Sequence, residues 1–388
     1  MSALSGRQRF TLLLLVILQS MIAPIVMSGL IPVHMDRLTE SFGVSRGQIG
    51  TVLAVAALLS AAFGFAAGLI AERFGNLRVL LAAIAGQSVA VIVFTFTRSA
   101  WSAALLAVVF LGGMNMTCVA NAISTEFFAA SLKRGVNLLH AVNSLGKLGG
   151  PLVALAFAGA IWRWGFFATG AYGLGILALG FVVLGQGVHS HRPAGLHADP
   201  VLSRPLYWAC ILGFVLLVGA EASVTQWLPE YLREVRGFSQ ELKKIMQAVF
   251  LAGLVGGRLA TVFFAYRLNH RQIIATCISC ALFLLPAMFL QSPVLVGTFL
   301  FLHGIAFSAA YPTHFAYITR FFPEHRSALS GGTGMANPVG YAIGYFVAGW
   351  VSVASLGAAV LLGVVLMGAY AALFFGLDRY DKRREEET

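Results

Sequence analysis

The sequence predicts an all-α integral membrane protein of twelve transmembrane helices, and three observations carry that prediction. Apolar residues make up 59% of the 388 and charged residues only 11%, against about 25% charged in a soluble domain. The apolar residues fall in runs of about 20, the length that crosses a ~30 Å hydrocarbon core. The runs are continuous and do not alternate, which argues for helices over a barrel.

The runs cover roughly 11–33, 48–71, 77–97, 101–124, 137–160, 164–187, 206–229, 241–265, 271–290, 294–317, 327–350 and 353–377. The leading MSALSGRQRF is polar and basic and enters the first run directly. That run is too long for a signal-peptide core and lacks a cleavage site, so it reads as a retained helix. It offers Gln19 and Ser28 around Pro24, and the fourth run offers Asn115, Thr117 and Asn121. The fifth carries Lys147 among Gly146, Gly149, Gly150 and Pro151, where small residues permit close helix contact. The seventh reads GAEASVTQWLPEYL, with Glu221, Gln226 and Trp227. The eighth holds Arg258, the tenth His303, and the eleventh Asn337 in a glycine-rich stretch.

Residues 188–204, VHSHRPAGLHADPVLSR, form the longest polar stretch between runs. It reads as a solvated linker between an N-terminal six-helix half, 1–187, and a C-terminal half, 205–388, that ends in a short charged tail. A weak repeat supports two pseudo-symmetric halves. Gly68–Ala71 has a counterpart at Gly257–Ala260, and Phe127-Phe128 before Arg134 has one at Phe321-Phe322 before Arg326. An even number of spans puts both termini on one side. Lys and Arg are roughly twice as frequent in the connections on that side, which places the termini in the cytoplasm of a cell (inner) membrane protein.

The net charge of +11 is scattered through short loops without interleaved aromatics, which suits a membrane surface and not nucleic acid. Cys118, Cys210, Cys277 and Cys280 all lie in apolar runs and read as packing residues. No hydrolytic, redox or metal-binding constellation is present, and no phosphate loop. The chain therefore reads as a non-enzyme, without cofactor or metal. It is expected to act as a monomer in a lipid bilayer on a small-molecule substrate, with protons as the second partner.

The stretch GLIAERFGNLR, Gly68 to Arg78, joins two membrane-length runs by a very tight charged turn. Gly68 would let the helices approach, and Gly75 permits a positive φ. Gly68, Ala71, Arg73, Gly75 and Arg78 match the signature G-x-L-A-D-R-x-G-R-K-R, with Glu72 for Asp, and Asn76 and Leu77 replacing the basic pair. The stretch resembles the loop between helices 2 and 3 of the major facilitator superfamily. That resemblance implies parallel six-helix halves around a midplane cavity, alternating access, and gating by Gly68, Glu72, Arg73, Gly75 and Arg78. It also implies that Glu126, Arg134 and Arg258 are gate or latch charges on the cytoplasmic side. The run from Asn121 to Pro151 and the EASVTQWLPEY stretch are similar to the fucose–proton symporter branch and related sugar carriers. Those carriers use an acid in span 1 and another in span 4; here span 1 has none, and Thr117 stands in span 4. Gly146, Gly150, Pro151 and Ala154 partly match the span 5 motif of drug–proton antiporters.

Ionisable groups at membrane depth are costly and need a partner or a cavity. Lys147 lies about ten residues into its span, ~15 Å at 1.5 Å per residue. Glu221 and His303 lie at similar depth in spans 7 and 10. A Lys147–Glu221 contact would join the halves and break on protonation of Glu221, which makes Glu221 the first candidate for proton coupling. Glu221, Lys147, Asn115, Gln19, His303, Gln226, Trp227 and Asn337 are the candidate substrate-binding residues. The expected function is secondary active transport of a small polar solute, proton coupled. A sugar symporter stands ahead of an organic-anion carrier, and a drug or lipid efflux antiporter third. A non-transporting membrane sensor is the reading from a different class.

Overall fold

The computed structural model describes residues 5–116, 119–120, 123, 132–187, 200–264, 268–322 and 324–387. All twelve apolar runs fall on helical segments among them. These are α1 (Gly6–Val33), α2 (Arg46–Phe74), α3 (Asn76–Phe96), α4 (Ala100–Met116), α5 (Leu132–Ala156) and α6 (Trp164–Gly185). They continue as α7 (Pro205–Val235), α8 (Gln240–Phe264), α9 (His270–Phe289), α10 (Pro293–Ile318), α11 (Arg326–Ala354) and α12 (Leu356–Glu387). Eight are long and apolar enough to cross a membrane by themselves, and Ala100–Met114 is a shorter apolar helix. The remaining three, α5, α8 and α11, carry Lys147, Arg258 and Asn337, so their polarity has a place to go: the middle of the bundle.

Local chemistry sets the ends. Ser45 with Gln48, and Asn269 with Gln272, form reciprocal capping boxes at the starts of α2 and α9. Gly75 takes φ +86° between α2 and α3, as the tight turn requires. Gly68, by contrast, has open space where a side chain would go, so it makes no close helix contact here. α1 is the irregular helix. Pro24 precedes a π-helical stretch, Ile25–Leu30, that carries Met27 and Ser28; such bulges recur at functional sites. Gly29 in that stretch meets Gly150 of α5 backbone to backbone, with no room for a side chain on either.

Two hydrophobic cores fill the molecule. One is built by residues 12–183 with Ala222, Ala342 and Tyr345, and the other by residues 201–377 with Met35. Between them, α2 packs on α11, where Trp350 donates to Thr51 Oγ1 at 3.0 Å. On the same seam, a side chain at Gly50 would run into the Tyr345 carbonyl. α8 packs on α5, and Lys244 donates to the Ala154 carbonyl at 3.0 Å. The large apolar side chains left outside, such as Trp101, Phe289 and Phe65, form the surface that faces lipid. Cys210, Cys277 and Cys280 are buried free thiols, and Cys118 lies outside the described residues.

Candidate transport site

At the centre, Lys147 of α5 forms an ion pair with Glu221 of α7. The two reach similar depth on helices that run in the same direction, one from each half of the chain. The Lys147 side chain is 5% exposed and that of Glu221 15%, and Glu221 borders a cleft too narrow to hold water. Met27, Ser28, Ala222, Thr225, Gln226, Tyr341 and Tyr345 complete that wall. Tyr341 and Tyr345 stack with ring centroids 5.7 Å apart, one turn apart on α11.

Arg258 corrects a sequence expectation. It was assigned to a cytoplasmic gate, yet it is buried at the centre. It pairs with Ser144 of α5 and donates to the Ser308 carbonyl at 3.2 Å. It lies within electrostatic reach of both Glu221 and Lys147. The glycine before it, Gly257, packs against Ser308 and Ile305, which lets α8 sit deep enough against α10 to bring the guanidinium inward. Tyr311 of α10 hydrogen-bonds Asn337 and Thr333 of α11 beside it.

The other candidates divide. Gln226 lines the cavity at 1% exposure, and neither amide atom has a protein partner. Asn337 keeps Oδ1 unpartnered next to Tyr311. Trp227 points into the second core and packs near Gly349, so it is neither an exposed interfacial anchor nor part of the cavity wall. Gln19 is buried in α1 and donates to the Val16 carbonyl at 3.3 Å. His303 is absent from the cavity wall: it bonds the Ala281 carbonyl at 3.0 Å and stacks on Phe250 at 5.7 Å, inside the second core. Glu72 is half-buried, and Arg73 and Arg78 are exposed at the α2–α3 turn. Glu126 and the side chains of Asn115 and Arg134 lie outside the described residues.

A second polar cluster escaped the sequence reading. It lies at the end of the bundle formed by the α1–α2 and α7–α8 connections, here the distal end. Asp36, on the short helix Met35–Phe42, pairs with Arg233 and accepts from Lys243 at 3.2 Å and Gln240 at 2.5 Å. Lys243 also binds Glu230 at 2.7 Å, with both side chains fully buried. Arg46 pairs with Glu234 nearby. Lys243 and Lys244, in the first turns of α8, are both buried. The available signal was Lys243 and Gln247 four residues apart, a polar stripe on one helix face. At the opposite end, the ion pairs among the described residues (Arg271–Asp378, Lys382–Asp378 and Arg320–Asp381) stay within the later part of the chain.

Comparison with known proteins fits this architecture. The family model of the Major Facilitator Superfamily matches residues 10–301. The chain is therefore a membrane transporter of the major facilitator superfamily, not an enzyme. It is 24% identical over 349 residues to a probable nitrate/nitrite antiporter of Thermus thermophilus, covering 78% of this chain and 76% of that protein. It is 26% identical to a probable sulfoacetate transporter of Cupriavidus necator, over 58% of each chain. A cis,cis-muconate transport protein of Acinetobacter baylyi is 29% identical over 46% of this chain and 44% of its own. Among solved structures, a bacterial homolog of the human lysosomal transporter Spinster, in an inward-facing and occupied conformation, superposes with TM-score 0.77. The identity is 17%, and the match covers 97% of this chain and 98% of that one. A D-xylose–proton symporter gives TM-score 0.74 at 14% identity, over 94% and 97%.

Proposed function

We propose that the chain is a secondary carrier of a small organic anion, coupled to protons through Glu221. One observation carries this reading: among the described residues, the central site sets two buried cations, Lys147 and Arg258, near the Glu221 carboxylate. Cations at membrane depth attract an anionic solute, and a solute carboxylate is the group proposed to take the Lys147 ammonium. Protonating Glu221 frees the Lys147 ammonium for that carboxylate, so proton and anion travel together. The names of the relatives, nitrate/nitrite, sulfoacetate and muconate, support an anion as cargo. A sugar is the second reading, favoured by the unpartnered Gln226 amide and the Tyr341–Tyr345 stack.

With both termini in the cytoplasm, the distal end is the outer face. The ion pairs of Asp36 and Arg46 tie it shut, so this conformation is closed towards the outer face. The two six-helix halves, 1–187 and 205–388, rock about the centre in this reading.

The test is a thermal-shift screen of purified protein against nitrate, sulfoacetate, muconate, simple sugars and cationic drugs, in acidic and neutral buffer. Ligands that bind only the folded state raise the midpoint by mass action. An acid hit that disappears in Lys147→Ala supports the anion carrier. A sugar hit that survives Lys147→Ala overturns it.

A further inference from the structure

Five polar atoms buried along the α7–α8 seam have no protein partner. They are Thr225 Oγ1, both amide atoms of Gln226, Glu230 Oε2 and Gln247 Oε1. Their residues are at most 5% exposed. Buried polar atoms are almost always satisfied by protein or by ordered water, so a run of them marks where water would be taken up; in this closed state the cleft that Thr225 and Gln226 line is too narrow to hold it.

The seam is continuous from the distal surface to the centre. The Asp36 side chain, 11% exposed, accepts from Lys243, and the same ammonium holds Glu230 at 2.7 Å. One turn along α8 stands Gln247. Its amide donates to the Ser28 carbonyl at 3.2 Å and the Thr225 carbonyl at 3.1 Å. Thr225 lies one turn along α7 from Glu221, and Ser28, Thr225 and Gln226 share the cavity wall with Glu221. From Thr225 to Glu230 the helix rises about 7.5 Å, a gap that a short file of waters spans.

We propose that this file is the proton route from the distal side to Glu221, with Glu230 as the carboxylate at its entrance. The inference rests on Glu221 being the coupling group. When the distal end opens, Asp36 parts from Lys243 and Arg233, water reaches Glu230, and Glu230 takes a proton from bulk water and lets go of Lys243. The proton hops along waters held by Gln247, Thr225 and Gln226. One O–H bond breaks at Glu230 and one forms at Glu221. Glu230 returns to carboxylate and re-pairs with Lys243, and Glu221 releases Lys147. The charged and titratable groups around Glu230 are Lys243 and Lys244 of α8, Arg233 and Glu234 of α7, Arg46 of α2, and His34, Asp36 and Arg37 after α1. Those around Glu221 are Lys147, Arg258, Tyr311, Tyr341 and Tyr345.

Infrared difference spectroscopy of the reconstituted full chain after an acid jump tests this without a substrate. The carboxyl C=O band lost in Glu221→Gln reports protonation of Glu221. Gln247→Leu and Glu230→Gln should slow its rise about tenfold or more, equivalent to a barrier increase of at least 1.4 kcal/mol. Thr225→Val, which keeps the side chain's shape, should slow it measurably and serves if the other two unfold. Unchanged rates in all folded variants overturn the route while leaving Glu221 as the coupling group. A spectrum in which Glu221→Gln removes no band overturns the coupling assignment, and the route with it.

Discussion

Helix α7 carries two glutamates inside the bundle, each paired with a lysine of another helix, and their surroundings differ in one respect. Glu221 meets Lys147 beside a narrow cleft, with Arg258 close by. Glu230 meets Lys243 in full packing, and Lys243 is shared with Asp36, which also holds Arg233. In the proposed mechanism the first pair exchanges a partner for a solute, and the second only breaks and re-forms. The same acid–base chemistry thus serves as a site or as a lock, according to whether a cavity adjoins it.

The largest expected effect comes at the site. Glu221→Gln should abolish proton-driven uptake in proteoliposomes while counterflow exchange is less affected. Gradient-driven uptake at the wild-type rate would place the coupling group elsewhere. Lys147→Met should follow closely. Removing one partner of a buried ion pair costs about 3–5 kcal/mol, read as a lower unfolding midpoint. In the double variant Lys147→Met/Glu221→Gln, stability should recover and anion-dependent stabilisation should not. Recovery of both would make the pair purely structural.

Smaller effects test the lock. Asp36→Asn removes the one carboxylate shared by Arg233, Lys243 and Gln240. It should shift the population towards distal opening, seen as a longer spin-label distance between positions 40 and 239. An unaltered distance distribution would assign closure to helix packing alone. The smallest effect belongs to Arg46→Ala. Its pair with Glu234 is half-exposed, and such pairs contribute about 0–1 kcal/mol. A change in the distance distribution as large as that of Asp36→Asn would show that the lock is distributed over the distal end.

The same contrast explains what the sequence discloses. The helices are legible because each apolar run must span the membrane and nothing else in the chain competes for it. Lys147 and Glu221 are legible because a charge ten to fifteen residues into a span has few places to go. Depth counting fails for Arg258, which sits toward the far end of its helix. Its inward reach comes from the close α8–α10 packing at Gly257, which no count along one strand of sequence contains. It fails again for Lys243, because a lysine in the first turn after a loop has the same local signature whether it meets water or a buried glutamate. His303 shows the converse: an intramembrane histidine at the right depth, turned by its helix face to a carbonyl and two phenylalanines.

The seam between α2 and α11 has a mechanical consequence. Tyr345 presents its ring to the cavity, and its carbonyl is the floor on which Gly50 rests. Gly349, one turn on, lies within 3.1 Å of the Cβ that Gly50 lacks. A solute pressing on that ring therefore loads a main-chain bearing with no side chain to cushion it. If the cargo sits against that wall as proposed, its bulk would bear on this backbone contact as well as on the pocket.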